Sequence, residues 1–535
     1  MTREHVRAVC VWTAVLLTSV AGSACARSDG AVGGQEAGSQ QAHATASGAA
    51  GVRAQLDAAR SGYGSPLRGM RQSVQLTGAT SLLGADHVAS VLISPSGDVL
   101  VEARGQVGMV TCTTGEKAWM RDIGGETRYL HLGELDEALL LSLFVSGGWR
   151  DDPRLLFEEG AGTGTLGFSL TGSPVRGTIT LDPDSHRLAR AEFGAGGEMN
   201  VVECSGVLEW DGVRFPAMVR STSANGTATT MRFTAVGAAP TFIRSPFQPV
   251  FAYADVTFDS AKPATLELKR ARTGHLLCRP TINGKQFDWF FFDTGAGGTI
   301  LTPEVVDGLK LERFAQVPVS GIGGKLTSSF VRAGSIELGP VTMQDALATE
   351  LDLSFVANAV GEKISGIIGF NLLSRCIAEV DQKGGAVSLY DPAAYRGGEA
   401  ARGLAWSSLI TYERHPCVEA SFEDHTGWFK LDTGAAGSTV TVHAPAVKKF
   451  GLLDDREVTD TKVGGVGGMR SAKQGTLRWF DLGGHRTPDV KATFAVESVG
   501  ALDDPYTLGN IGGDLMAPFV LVLDYQREQV AFRAR

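Results

Sequence analysis

The strongest constraint on the fold of this chain is an internal repeat. Shifted by 139 positions, Phe290–Val306 lies over Phe429–Pro445, Trp289 over Trp428 and Cys278 over Cys417. Further on, Val319–Leu326 (VSGIGGKL) matches Val463–Arg470 (VGGVGGMR), and Gly366–Leu372 (GIIGFNL) matches Gly509–Leu515 (GNIGGDL). Each copy closes on a pair of strand-like runs about a turn, Ile377–Tyr390 and Leu521–Phe532, with Asp381 over Asp524. A repeat longer than a single supersecondary unit, with turn glycines at matching places, implies two lobes of one design. The 68 glycines and the short apolar runs between them point to β-rich structure.

At the centre of each copy an apolar strand runs into Asp-Thr-Gly: Asp293-Thr294-Gly295 and Asp432-Thr433-Gly434. A strand delivers its terminal carboxylate to a fixed point. Gly295 and Gly434 let the backbone turn and approach a partner closely. The hydroxyls of Thr294 and Thr433 are suited to tying the two loops together. One such tripeptide is an ordinary turn, since all three residue types favour turns. Two at equivalent places in a repeat bring two carboxylates together. Side by side they cannot both ionise easily, so the pair keeps one proton over a range of pH. The ionised member is then a base for water, and the protonated member an acid for a carbonyl. Lys430 lies two residues before Asp432, on the same strand face. A solvated or interface lysine is expected there, although a nearby ammonium would lower a carboxyl pKa of the pair.

On these motifs, residues 270–535 resemble a retropepsin-like aspartic protease duplicated within one chain. The resemblance implies a mainly β fold in which tandem lobes, 264–398 and 405–535, form one bilobal pseudo-twofold domain. It implies that Asp293 and Asp432 are the catalytic dyad, supported by Thr294, Gly295, Thr433 and Gly434. It also implies substrate-binding flaps at Gly321, Ile322, Gly323 and Gly324 and at Gly465, Val466, Gly467 and Gly468. The substrate would be an extended polypeptide, and fused lobes would work as a monomer. Ala296 and Ala435 stand where pepsins commonly have Ser, which implies a milder pH optimum. Asn371 and Asp514 are expected to cap the helices that open after Gly369 and Gly512. Two other readings stay open: an inactive peptide-binding protein, and a lipid- or lipoprotein-binding envelope protein with a protease-like module.

The remainder of the chain reads differently. Arg3, Arg7 and the apolar run Ala8–Ala21 form an export signal within residues 1–25. Gly22-Ser23-Ala24-Cys25 resembles a bacterial lipoprotein box, which implies acylation of Cys25 and a membrane tether. Cleavage after Ala24 or Ala26 without lipid is the alternative. Either way the expected location is the cell envelope or outside the cell. Residues 26–60, small and polar, are expected to be a flexible tether. Residues 61–250 show short strands and turns, expected as a curved antiparallel half-barrel of α+β type. Phrases within 65–250 (DPDSHRLARAEF, WDGVRFPAMVR, SPFQP) resemble lipoprotein-sorting carriers.

A net charge of −9 with 20% charged residues argues against nucleic acid as a partner. Of seven cysteines, Cys10 and Cys25 belong to the signal region, and Cys112, Cys204, Cys278, Cys376 and Cys417 remain. Their spacing suggests no metal site, and no cofactor is expected. Cys278 and Cys417 read as buried core thiols. The stretch Gly162–Gly167 satisfies GxGxxG but opens no βα unit, so a dinucleotide site is not expected. His415 and His425 read as surface residues.

Overall fold

A computed structural model describes residues 38–535 apart from 83–84, 106–107, 196–198, 225, 323, 396–403 and 499. The expected export signal, Cys25 and Gly323, an expected flap residue, therefore lie outside the described residues. Two compact units emerge. The first comprises, among described residues, 38–120 and Leu132–Pro249; the second comprises Arg121–His131 and Val250–Arg535. No described helix is long and apolar enough to cross a membrane.

The first unit is a curled half-barrel sheet whose order follows the path of the chain. Val74–Leu82 lies centrally, and antiparallel strands Ala85–Ile93, Val99–Arg104 and Met109–Thr114 step outward from it. After the helix Leu132–Ser146 the chain re-enters at the far edge with Leu155–Glu159. It then steps back through successive strands until Ala228–Ala238 pairs with the first strand. A bulge at Thr77/Gly78 interrupts that central pairing, and a Cβ on Gly78 would overlap the Arg232 carbonyl. The core sets Leu140, Phe144, Val145 and Trp149 against Val74, Leu76, Phe168 and Phe193 from the strands.

Residues 38–63 form a helix, which overturns the expectation of a tether up to residue 60. The run is rich in alanine, the best helix former. Its C-terminal turns are anchored by buried Ala59 and Tyr63. The Tyr63 hydroxyl accepts hydrogen bonds from Leu188 N at 3.3 Å and Trp149 Nε1 at 3.4 Å. Val52, Leu56, Ala59 and Tyr63, spaced by four, three and four residues, meet the core; this short helical pattern is easily lost among the small and polar residues around it.

The second unit carries the repeat as two lobes. In lobe 1, Trp289–Phe292 lies between Leu276–Cys278 and the parallel strand Ile364–Ile368. In lobe 2, His425–Leu431 lies between His415–Phe422 and the parallel strand Gly509–Ile511. Parallel strands buried on both faces read as unbroken apolar runs, which accounts for Trp-Phe-Phe-Phe. The closing strands of the two copies join in one five-stranded sheet, where Ile377–Asp381 pairs with Phe519–Asp524. A single core cluster holds apolar side chains of both lobes. Cys278 and Cys417 are fully buried free thiols, as expected.

Candidate active site

Each Asp leaves its strand through a matching backbone bond. Asp293 N donates to Ile368 O at 3.0 Å, and Asp432 N donates to Ile511 O at 2.9 Å. The two Asp-Thr-Gly loops then lock reciprocally. Thr294 N donates to Thr433 Oγ1 at 2.9 Å, and Thr433 N to Thr294 Oγ1 at 3.0 Å. Each hydroxyl continues to the strand end opposite: Thr294 Oγ1 donates to Leu431 O at 2.8 Å and Thr433 Oγ1 to Phe292 O at 3.2 Å. Both threonines are 1% exposed, so these bonds exchange with no water.

That lock brings the carboxylates together. A Cβ on Gly295 would overlap the Asp432 carboxylate, and one on Gly434 would overlap that of Asp293. The glycines are required here by close approach. Asp293 Oδ1 accepts from Gly295 N at 2.7 Å and, across the lobe boundary, from Gly434 N at 3.1 Å. Asp432 Oδ1 accepts from Ala435 N at 3.0 Å, and its Oδ2 from Asn510 Nδ2 at 3.4 Å. Burial, then the Asp432 charge, pushes Asp293 up to about 7, against the two amides that favour its ionised form. Burial also raises Asp432, but the amides of Ala435 and Gly434, the Asn510 side chain and Lys430 all act in the opposite direction.

Two histidines complete a second reciprocal strap. His275 Nε2 lies 2.9 Å from Gly434 O, and His415 Nε2 lies 3.0 Å from Gly295 O. A carbonyl only accepts, so each Nε2 carries the proton. Burial lowers His275 and takes His415 to about 3, with Lys430 adding to the second effect. His415 is thus no surface residue but part of the loop assembly. His425 stacks on Phe450, with centroids 4.0 Å apart.

The glycine-rich segments form hairpin tips. Gly321 pairs with Gly324 between strands Arg313–Gly321 and Gly324–Leu338, and Gly465 with Gly468 between Thr459–Gly465 and Gly468–Leu482. Gly324, Gly467 and Gly468 adopt φ of +121°, +86° and +116°, where other residues are strained. The tips interlock: a Cβ on Gly321 would overlap Val466, and Ile322 packs beside Gly465. Ile322 also rests on Ala444, Ala495 and Leu502 of lobe 2. Val466 packs on the cluster of Phe291 and Ala296 in lobe 1.

Asn371 and Asp514 are not caps. The helix N-caps are Gly369 and Gly512, with no side-chain bond. Asn371 Oδ1 instead accepts from Thr299 N at 2.5 Å while its Nδ2 donates to Leu347 O at 2.9 Å, pinning the loop that follows Asp293. Asp514 is exposed.

Lys430, expected to be solvated or at an interface, is buried in a polar cluster. Its Nζ lies 3.0 Å from Glu413 Oε2 and 3.2 Å from Asp504 Oδ2. Burial opposes its charge, but Glu413 and Asp504 outweigh it and hold the ammonium above the ordinary lysine range.

A second buried cation braces lobe 1 from behind. Arg375, 1% exposed, donates to Glu126 Oε1 at 2.8 Å, Asn371 O at 2.7 Å and Gly124 O at 2.9 Å, and also to Asp255. Arg414 pairs with Asp122 at 2.7 Å. Burial and the Asp122 charge push Glu126 up to about 8; at Asp122 burial acts upward, but Arg414, Glu126, Arg128 and the Gly124 amide together hold it at about 2. Among the described residues no cluster of side chains is suited to a metal ion.

No curated protein matches the chain. Two segments of it, residues 279–372 and 418–514, match the model of a family described as aspartyl protease, and between them they hold both Asp-Thr-Gly loops and both hairpin tips.

Proposed function

We propose that this chain is an aspartic endopeptidase, with Asp293 and Asp432 as the two halves of one catalytic dyad. The observation that carries the reading is the reciprocal lock, in which each carboxylate lies against the other lobe's glycine. An aspartyl-protease match over both copies supports it.

The chemistry follows from one proton shared by two carboxyls. The ionised carboxylate takes a proton from a water whose oxygen bonds to the scissile carbonyl carbon. The carbonyl electron pair moves onto oxygen, which takes the proton of the other carboxyl and leaves a tetrahedral diol. A diol hydroxyl then returns its proton to the second carboxylate. The first carboxyl gives its proton to the amide nitrogen as the C–N bond breaks. An acid and an amine leave, and the dyad is restored.

An extended polypeptide lies between the hairpin tips and the dyad floor, held by backbone hydrogen bonds as an added strand. An export signal within residues 1–25 is proposed to carry this activity to the cell envelope or outside the cell. Incubation with a mixed peptide library across pH, with and without a statine-type inhibitor, tests the reading. Cleavage that the inhibitor blocks and that Asp293→Asn and Asp432→Asn each abolish is expected. Peptide binding without turnover would overturn it in favour of an inactive binding protein.

A further inference from the structure

The lobes are equivalent in backbone but not in what backs their carboxylates. In the parallel strand pairs that feed the two loops, Phe291 faces Ile367 in lobe 1 where Lys430 faces Asn510 in lobe 2. The residue before the short helix that follows each loop is Thr302 in lobe 1 and His443 in lobe 2. Apolar or small groups on one side are thus replaced by a connected polar chain on the other.

That chain runs inward from Asp432. Asn510 Nδ2 donates to Asp432 Oδ2 at 3.4 Å, and Asn510 Oδ1 lies 2.9 Å from His443 Nε2. An amide oxygen only accepts, so His443 carries its proton on Nε2 and holds the NH2 group toward Asp432. On the far side, His443 Nδ1 lies 3.1 Å from Thr507 Oγ1 and 3.2 Å from Thr507 O, and the Thr507 hydroxyl donates to Asp504 Oδ2 at 2.7 Å. Asp504 pairs with Lys430, which also holds Glu413 and stands over the Tyr412 ring at 5.2 Å. His443, Thr507, Asp504 and Lys430 are at most 5% exposed. Burial strengthens each polar contact along this chain. Its outer end is an N–H donor, which an ionised carboxylate accepts more strongly than a neutral acid does.

We propose that Asn510, oriented by His443 and the Lys430–Asp504 cluster, is a positioning residue that keeps Asp432 as the ionised base and leaves the proton of the dyad on Asp293. Against burial, the amides of Ala435 and Gly434, the Asn510 side chain and Lys430 all favour the ionised form of Asp432. Asp293 shares the proton from across the lobe boundary, Lys430 approaches along its own strand, and Asn510 reaches it from the neighbouring strand. Asp504 and Glu413 are neutralised first by Lys430. Burial takes His443 to about 4, which leaves it neutral at working pH, and Asp293 is the member pushed to about 7. In the peptidase reading, on which this inference rests, Asp432 takes the proton of water and Asp293 protonates the carbonyl.

The test is titration of the intact chain carrying ¹³C-carboxyl aspartate, with the two resonances assigned through Asp293→Asn and Asp432→Asn, followed by the kcat/KM–pH profile on a cleaved peptide. In the unsubstituted chain Asp432 ionises first and Asp293 last. Asn510→Ile, which copies lobe 1, moves the first ionisation up by about one pH unit and lowers kcat/KM about tenfold on the acid limb. His443→Thr, the other lobe 1 residue, leaves the amide unheld and gives a smaller shift of the same sign. If Asn510→Ile does not fold, Asn510→Ala removes the donor at lower volume and gives the same shift. An unmoved first ionisation in these variants, or Asp293 ionising first, overturns the proposal. A titration as expected in a chain that cleaves no peptide would sink the peptidase reading and leave this one standing.

Discussion

Gly295 and Asp432 come from different lobes, yet the carboxylate of one occupies the space a Cβ on the other would need. Gly434 and Asp293 repeat the relationship. Gly295→Ala and Gly434→Ala should each force the carboxylates apart. We expect kcat/KM to fall by roughly a hundredfold or more, with a stability loss of only about 1–3 kcal/mol. Thermal unfolding beside peptide kinetics checks this. Equal loss of fold and activity would mean that the glycines serve packing alone.

Thr294 and Thr433 exchange amide and hydroxyl bonds across the lobe boundary. Thr294→Val leaves buried partners unmet and should cost about 1–3 kcal/mol in denaturant unfolding. The double variant Thr294→Val/Thr433→Val should cost less than the sum, because each single change already breaks shared bonds.

Asp293 has a folded pKa of about 7 against 3.8 for the free side chain. Between these values the folded chain binds more protons than the unfolded one, so this group's contribution to stability falls as pH rises from about 4 to 7. Asp293→Asn should therefore stabilise the protein at neutral pH, on the order of 2 kcal/mol or more, and the gain should vanish near pH 4. Unfolding free energies at the two pH values decide it.

His415 has the opposite sign. Its folded pKa of about 3 lies below the free value of 6.5, so its contribution is complete above about pH 6.5 and is lost as pH falls toward 3. His415→Gln removes that titration while keeping a donor for Gly295 O. Its stability should decline less than that of the unsubstituted chain between pH 6.5 and 4, by circular dichroism across that range.

Arg375 holds Glu126 and Asp255 from buried positions. Arg375→Met should leave these acids without their cation and cost about 3–5 kcal/mol. Glu126→Gln should cost far less, because Glu126 keeps its proton up to about pH 8 and its bond from Arg375 needs only an acceptor.

The dyad loops, the hairpin tips and the β-rich lobes were legible because the repeat presents each of them twice. What escaped was whatever the repeat does not copy in register. His275 stands three residues before Cys278, but His415 stands two before Cys417, so a fixed offset of 139 hides their equivalence. Lys430 was visible from its place two residues before Asp432, but its burial against Glu413 and Asp504 was not; Asn510 and His443 escaped because their lobe 1 counterparts are Ile367 and Thr302, and no spacing marks a network assembled from separate strands and a helix end. Asn371 carries a residue type favoured at caps, yet the loop after Asp293 offers it a buried amide instead. The helix 38–63 escaped because its apolar contacts, Val52, Leu56, Ala59 and Tyr63, are few and set among small and polar residues.

The eleven residues Arg121–His131 belong to the second unit, although the chain on both sides of them belongs to the first. Among the described residues the polypeptide therefore passes between units three times, at 120/121, 131/132 and 249/250. Neither unit can be excised by one cut. A nick after Pro249 severs one crossing of three, and a fragment beginning at Val250 would leave behind Glu126 and Asp122, which answer Arg375 and Arg414, while keeping Asp255. In covalent terms the half-barrel is a passenger within the sequence of the lobed unit as much as a neighbour preceding it, and a truncation series should find no stable lobed fragment starting at 250.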